Sequence, residues 1–287
     1  MKLASFRCEG RSSWGTVEDE TVADLGAVLG GRLPDLRAAL AADAWAEIRA
    51  AVASAPRRPV GAIDWLPVIP NPDKVICIGL NYESHRRETG RAAVGHPTVF
   101  LRPANSQIGH GAPLVRPTVS TALDYEGELA VIIGKPGRYI SQARAFAHVA
   151  GYACYNEGTL RDWQRHTHQF TPGKSFPGTG AFGPWLVTAD EIPDPSGLRL
   201  ETRLNGTIVQ EAGLDQLIFP IPRLIEYCSA FTRLEPGDVI ATGTPGGVGF
   251  KREPPVFLVP GDRVEVDIPG VGLLANGVVD EAAGAQP

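Results

Sequence analysis

The sequence predicts an α+β protein dominated by strands, with a small N-terminal part ahead of a β-rich remainder. Three observations carry that expectation. The 33 glycines and 25 prolines are spread along all 287 residues, which fits many turns between short strands better than a helical bundle. Apolar runs punctuated by Gly and Pro begin at "KVICIGLNY" and continue towards the C-terminus. Alanine-rich, helix-favouring sequence is concentrated before residue 70, in "LPDLRAALAADAWAEIRAAVASA".

In chain order, residues 1–70 read as a small N-terminal domain or arm: early strands, one or two helices, then the loop-like "PRRPVGAIDWLPVIPNPDK". Residues 71–287 read as the main, catalytic domain. Its strands are expected at "TVFLRP", "ELAVIIG", "PWLVTA", "LRLETRLNG", "DVIATGT" and "DRVEVDIPGVGLLANGV". Helices are expected only at "SQARAFAHVAGYACYN", "RDWQRHTH" and "IPRLIEYCSAF".

Composition removes several function classes. A formal charge of −5 gives no reason to expect nucleic acid or an anionic membrane as partner. No apolar run reaches the roughly 20 residues of a spanning helix, and "MKLASFRCEGRSSWG" lacks a signal-peptide core. Cys8, Cys77, Cys154 and Cys228 lie far apart without a CxxC pair, as expected of free thiols in a reducing cytoplasm.

The chemistry-bearing stretch is "DYEGELAVIIGK". Side chains alternate along a strand, so Glu126 and Glu128 share a face. A solvated strand face can also carry E-x-E. Here, however, the next five residues, "LAVII", are all apolar, so the strand is buried on both faces and the carboxylates sit where it emerges from the core. Two carboxylates in such a place repel and require a cation. Oxygen ligands suit a hard divalent ion, Mg2+, Mn2+ or Ca2+, rather than zinc. A third oxygen ligand is expected from "GYACYNEGTLRDWQRHTHQF", where Glu157 is followed by Arg161 and Gln164 at i, i+3 spacing. His166 and His168 in the same run read as solvated. Upstream, in "GLNYESHRRETG", His85 and Glu88 stand three apart, on one helical face. That spacing suits a Glu-oriented general base, and equally a plain surface charge run.

Seven segments in this order make a pattern: "GLNYESHRRE", "PTVFLRPANS", "DYEGELAVIIGK", "GYACYNEGTLRDWQ", "GKSFPGTGAFGPWLV", "LRLETRLNGTIVQ" and "LEPGDVIATGTPGGVG". The chain from about Lys74 to Val278 resembles the fumarylacetoacetate hydrolase family. The resemblance implies a mixed, mainly antiparallel β-sheet roll around a partly enclosed metal site, and a homodimer. "LIFPIPRLIEYCSAF" offers apolar surface for such a contact, although a core helix explains it equally well. The resemblance also implies roles. Glu126 and Glu128 match the family's metal ligands, and Glu157 stands where most members carry Asp. His85 and Glu88 match the water-activating pair of a lid, and Lys174 a lysine that neutralises developing negative charge. Arg161, Gln164 and Thr244 match positions that hold the 2-oxo acid, while Arg102 replaces a lysine common in relatives.

The activity implied is divalent-metal-dependent hydrolysis of a C–C bond in a 2,4-diketo acid, of the acylpyruvate or fumarylpyruvate type, through an enolate. The same site in this family also serves decarboxylation, tautomerisation and isomerisation of 2-oxo diacids. From a different class, the longer Glu157 would fit an inactive, metal-free binding protein that kept the fold.

Overall fold

The computed structural model describes residues 1–282. Its principal elements open with β1 (Lys2–Cys8), β2 (Arg11–Glu18), β3 (Thr21–Asp24), α1 (Leu36–Ala41) and α2 (Trp45–Ala51). They continue with β4 (Val75–Gly79), α3 (Glu83–Glu88), β5 (Thr98–Arg102), β6 (Gly127–Ile133) and β7 (Val149–Glu157). Two one-turn helices follow, α4 (Arg161–Gln164) and α5 (Thr171–Lys174), then β8 (Gly180–Thr188), β9 (Arg199–Leu204) and β10 (Thr207–Gly213). The chain closes with α6 (Ile221–Phe231), β11 (Val239–Ala241), β12 (Arg263–Ile268) and β13 (Gly272–Asp280).

Among the described residues the strands form a twelve-stranded sheet, whose main path runs β3-β2-β1-β8-β7-β6-β11-β4-β5. A five-stranded sheet runs β10-β9-β12-β13 and ends on the short strand Leu114–Arg116. Pairing is antiparallel except for β4 with β11 and two short edge strands, Gln107–Ile108 on β8 and Leu114–Arg116 on β13. The fold is therefore the β-dominated, mixed and mainly antiparallel α+β architecture expected. The first seventy residues extend the same large sheet: Lys2 and Leu3 of β1 pair with Val187 and Leu186 of β8.

The large sheet is covered on both sides, and strand parity decides which residue faces which layer. Leu129, Val131 and Ile133 of β6, with Tyr152 and Cys154 of β7, pack with β9, β12, β13 and α6. Ala130 and Ile132, with Ala153 and Tyr155, pack with Leu36, Leu40 and Ile48 of α1 and α2 on the opposite side. The buried stripe of α6, including Leu224, Ile225 and Cys228, is consumed in the chain's own core, while Phe231 stays exposed. All four cysteines are free.

Two helix expectations need correction. "SQARAFAHVAGYACYN" gives a short 3-10 segment, Gln142–His148, and then the nine-residue strand β7, every residue of which is buried. A strand buried on both faces shows no alternation, and its alanines imitate a helix former. "RDWQRHTH" is helical only over Arg161–Gln164; the remainder is loop.

Gly127 sets the spacing between the two sheets. A Cβ there would lie 2.0 Å from Thr202 Oγ1 of β9. Gly127→Ala should therefore cost about 1–3 kcal/mol, the usual range for overpacking. Much of that loss should vanish in a Thr202→Ala background. Urea unfolding of the four variants checks this, and an equal loss in both backgrounds would place the strain elsewhere.

Candidate functional site

The same parity that builds the core gathers the carboxylates. Gly127 faces the second sheet, so Glu126 and Glu128 face the other way, with Ala130 and Ile132. In β7, Glu157 shares its face with Ala153 and Tyr155. The ladder sets the β6 and β7 ends side by side: Gly127 pairs with Asn156, and the Glu157 amide donates to Glu126 O at 2.8 Å. Glu126, Glu128 and Glu157 are only 4%, 1% and 1% exposed, and one oxygen of each lies within 4.8 Å of the others.

Buried carboxylates this close are held by cations. Lys174 Nζ, delivered by α5, donates to Glu126 Oε2 at 2.7 Å and to Glu157 Oε2 at 3.0 Å. Arg161 Nη1 pairs with Glu126 Oε1 at 2.6 Å, while its Nε bonds Asp124 Oδ2 at 2.7 Å. Burial alone would raise the Glu126 carboxyl, but Lys174, Arg161 and His85 outweigh it and hold it at about 2. Among the described residues no cation is in contact with Glu128. Burial, then Glu157 and Glu126, push its carboxyl well above the usual range, against a hydrogen bond of 2.8 Å from the Gly243 amide.

His85, 6% exposed, stands over this floor. Its Nδ1 meets Glu88 Oε1 at 2.7 Å, and Glu88 Oε2 accepts from the Gly247 amide at 2.9 Å. The helix α3 that carries both is docked at its N-terminal end. Asn81 bonds Phe219 and Thr242, and Ser84 Oγ accepts from Gly246 N at 3.0 Å.

These groups line one cavity of about 700 Å3: Glu126, Glu128, Glu157, His85, Lys174, Arg161, Gln164 and Thr244. Gln164 accepts from Arg161 Nη1 at 3.0 Å, and Thr244 Oγ1 is anchored to Gly127 O and Gln210. Glu88 supports the site from behind His85. Arg102 is the expected substrate contact that is not brought to the cavity. Its side chain is buried and bonded to Gly158 O, Thr179 Oγ1 and Ser106 Oγ, so it braces the turn that follows Glu157.

Asp124 had been given no role from the sequence, yet it holds Arg161 and accepts from the Gly249 and Phe250 amides. Its signal was available: positions 124, 126 and 128 share strand parity. His166 and His168, read as solvated, lie at the exposed rim of the cavity. Phe100, Phe170 and Phe250 also line the walls, and no motif marked them.

The donor set suits a hard divalent ion. It offers only oxygens, and Glu157 Oε1 is buried without a hydrogen-bond partner. The two sheets thus carry a buried acidic pocket beside a His–Glu pair. Residues 74–279 match the fumarylacetoacetate (FAA) hydrolase C-terminal model, and the chain belongs to that family.

Relatives show the range of activities on this scaffold. The chain is 46% identical to oxaloacetate tautomerase YisK of Bacillus subtilis (strain 168) over 213 residues, 72% of this chain and 70% of that protein. A putative HpcE protein from Mycobacterium smegmatis superposes with a TM-score of 0.87 at 35% identity, covering 98% of this chain and all of that one. Maleylpyruvate hydrolase from Sphingobium sp. SYK-6, solved with manganese(II) and pyruvate, superposes at 0.82 with 31% identity and the same coverage.

Removing Lys174 should expose the charge imbalance. Lys174→Met should destabilise the metal-free protein by about 3–5 kcal/mol, as for a buried pair that loses one partner. Added Mn2+ should restore part of the loss. A variant as stable as the parent in chelator would mean that the carboxylates do not depend on Lys174.

Proposed function

We propose that this chain is a divalent-metal-dependent enzyme of 2-oxo acids, and that it moves a proton next to the 2-oxo group. The observation that carries this reading is the placing of the His85–Glu88 pair, Lys174 and Arg161 around three buried carboxylates in one cavity. Glu126, Glu128 and Glu157 would hold Mg2+ or Mn2+. When bound, such an ion supplies Lewis acidity to a chelated 2-oxo carboxylate.

The rest is done by the chain's own groups. Arg161 and Gln164 grip the carboxylate end, with the Thr244 hydroxyl beside them. Lys174 lies in the floor and neutralises the charge that develops on the 2-oxo oxygen as an enolate forms. His85, kept in one orientation by Glu88, takes a proton from C3 or returns one to it. With the enolate oxygen taking a proton from solvent in one direction and losing it to solvent in the other, this is keto–enol tautomerisation, the activity named for the Bacillus subtilis relative.

A second reading, C–C hydrolysis of a 2,4-diketo acid, is favoured by the cavity itself. Its size and phenyl-lined wall exceed what a four-carbon diacid fills. In that case His85 takes a proton from water as the water adds to the distal carbonyl. The C3–C4 bond then breaks, its electron pair passes into the pyruvate enolate, and protonation at C3 gives pyruvate. The manganese-and-pyruvate complex of the Sphingobium hydrolase supports this alternative.

Chelation with EDTA should abolish activity, and Mg2+ or Mn2+ should restore it. At a metal concentration of 100 Kd, binding should also stabilise the protein by about 2.7 kcal/mol. Glu128→Ala should lose that stabilisation while keeping its fold in calorimetry. Full turnover by thoroughly stripped protein would remove the metal from the mechanism.

His85→Ala should lower kcat by about 10²–10⁴-fold, the range of general acid–base catalysis. Glu88→Gln should cost less, and metal affinity should stay unchanged in both. Decay of enol-oxaloacetate and release of pyruvate from an acylpyruvate, each followed in single turnover, tell the two readings apart. A parent enzyme active only on the first substrate is a tautomerase, and one active only on the second is a hydrolase. Unimpaired chemistry in His85→Ala would exclude the proton-transfer role in either.

A further inference from the structure

The His85–Glu88 pair has a support that lies outside the cavity. Glu88 Oε2 is fixed by the Gly247 amide at 2.9 Å, so the orientation of the His85 ring depends on where residue 247 is held. Gly247 belongs to the loop between β11 and β12, which is hung on the site by its amides. Gly243 N donates to Glu128 Oε2, Gly246 N to Ser84 Oγ and Gly249 N to Asp124 Oδ1. Those bonds hold one side of the loop, and the Gly247 carbonyl is held from the other.

That carbonyl accepts from the Tyr125 hydroxyl at 3.0 Å and from Arg252 Nε at 3.3 Å. Arg252 Nε also donates to the Tyr125 oxygen at 2.9 Å, and its Nη2 donates to Val209 O at 2.6 Å. Val209 sits at a β-bulge in β10: Thr202 pairs with Gln210 and Arg203 with Ile208, so residue 209 has no partner across the ladder. The backbones are so close here that a Cβ on Gly247, whose φ is +101°, would lie 2.1 Å from Val209 O. One guanidinium thus ties the five-stranded sheet, the Gly247 loop and the segment entering β6 at a single point. Among the described residues Arg252 forms no ion pair, and neither it nor Tyr125 lines the cavity. Burial pushes the Tyr125 hydroxyl up to about 12, so it stays protonated and donates. A half-buried arginine that meets only carbonyl and hydroxyl oxygens contributes geometry: its planar fork fixes two acceptors relative to each other, which an ammonium cannot.

We infer that Arg252 is a positioning residue for the base, acting through Gly247 and Glu88 on the His85 ring, with Tyr125 as its partner in the clamp. This rests on the reading of His85 as the group that moves the proton. Loosening the clamp leaves the buried carboxylates, Lys174 and Arg161 in place, so it slows the chemistry and spares binding.

The test is a double-mutant cycle on the full, Mn2+-loaded chain, in single turnover on whichever of enol-oxaloacetate and an acylpyruvate the parent consumes. Arg252→Met should lower the rate constant by about tenfold, the scale of one or two lost hydrogen bonds. Substrate and Mn2+ affinities should stay within about twofold of the parent. Arg252→Lys and Tyr125→Phe should each cost about threefold. In a Glu88→Ala background there is no carboxylate to hold, and Arg252→Met should then cost less than about twofold. General damage to the loop would instead multiply with Glu88→Ala and weaken substrate binding. A loss that persists undiminished in the Glu88→Ala background overturns the inference, and so does an Arg252→Lys or Arg252→Met enzyme as fast as the parent. Where Arg252→Met does not fold, Arg252→Lys and Tyr125→Phe carry the same cycle. A parent that consumes neither substrate, or full rates in His85→Ala, overturns the reading of the site itself, and the clamp with it.

Discussion

Everything in this cavity depends on keeping three carboxylates dry within a few ångströms of one another. Charges so placed are tolerated only when cations meet them at hydrogen-bond distance. Lys174 bridges Glu126 and Glu157, and Arg161 ties Glu126 to Asp124. Glu128 is left with one backbone amide, and its proton affinity rises accordingly. The cluster is therefore asymmetric. One carboxylate is pulled down by the cations around it, and another is pushed up by burial and by its two neighbours.

The sheet supplies the geometry for this at little conformational cost. β6 and β7 are central strands buried on both faces, so their ends are positioned by ladder hydrogen bonds rather than by loops. The cations, by contrast, arrive on one-turn helices, α4 and α5, which are held by the Arg161 amide's bond to Ala122 O and by the packing of Gly173 on Gln164. The carboxylate array, set on the ladder, is the rigid half of the site; the cation array sits on short helices. Arg102 belongs with the rigid half, since its bonds to Gly158 and Thr179 fix the turn leaving β7.

The sequence disclosed the carboxylate face because period-two alternation is a local rule: "EGE" followed by five apolar residues can place its acids in only one way. It disclosed α6 as the helix expected at "IPRLIEYCSAF", whereas α3 was not among the helices expected, although His85 and Glu88 were read as sharing one helical face. It misread β7, because a strand covered on both faces has no period to detect. Arg102 stood as a substrate contact only through the resemblance, and its burial against Thr179 is a long-range fact that the sequence does not show. The aromatic wall was equally hidden. Phe100, Phe170 and Phe250 come from segments up to 150 positions apart, and no spacing rule joins them.

Glu88 links two events through one side chain. Its Oε1 faces the imidazole and its Oε2 is latched to the Gly247 amide, in the loop that continues to Phe250. The carboxylate is thus a rigid coupling rod: a shift of that loop and a change in the partner of the His85 ring are one displacement, seen at two ends.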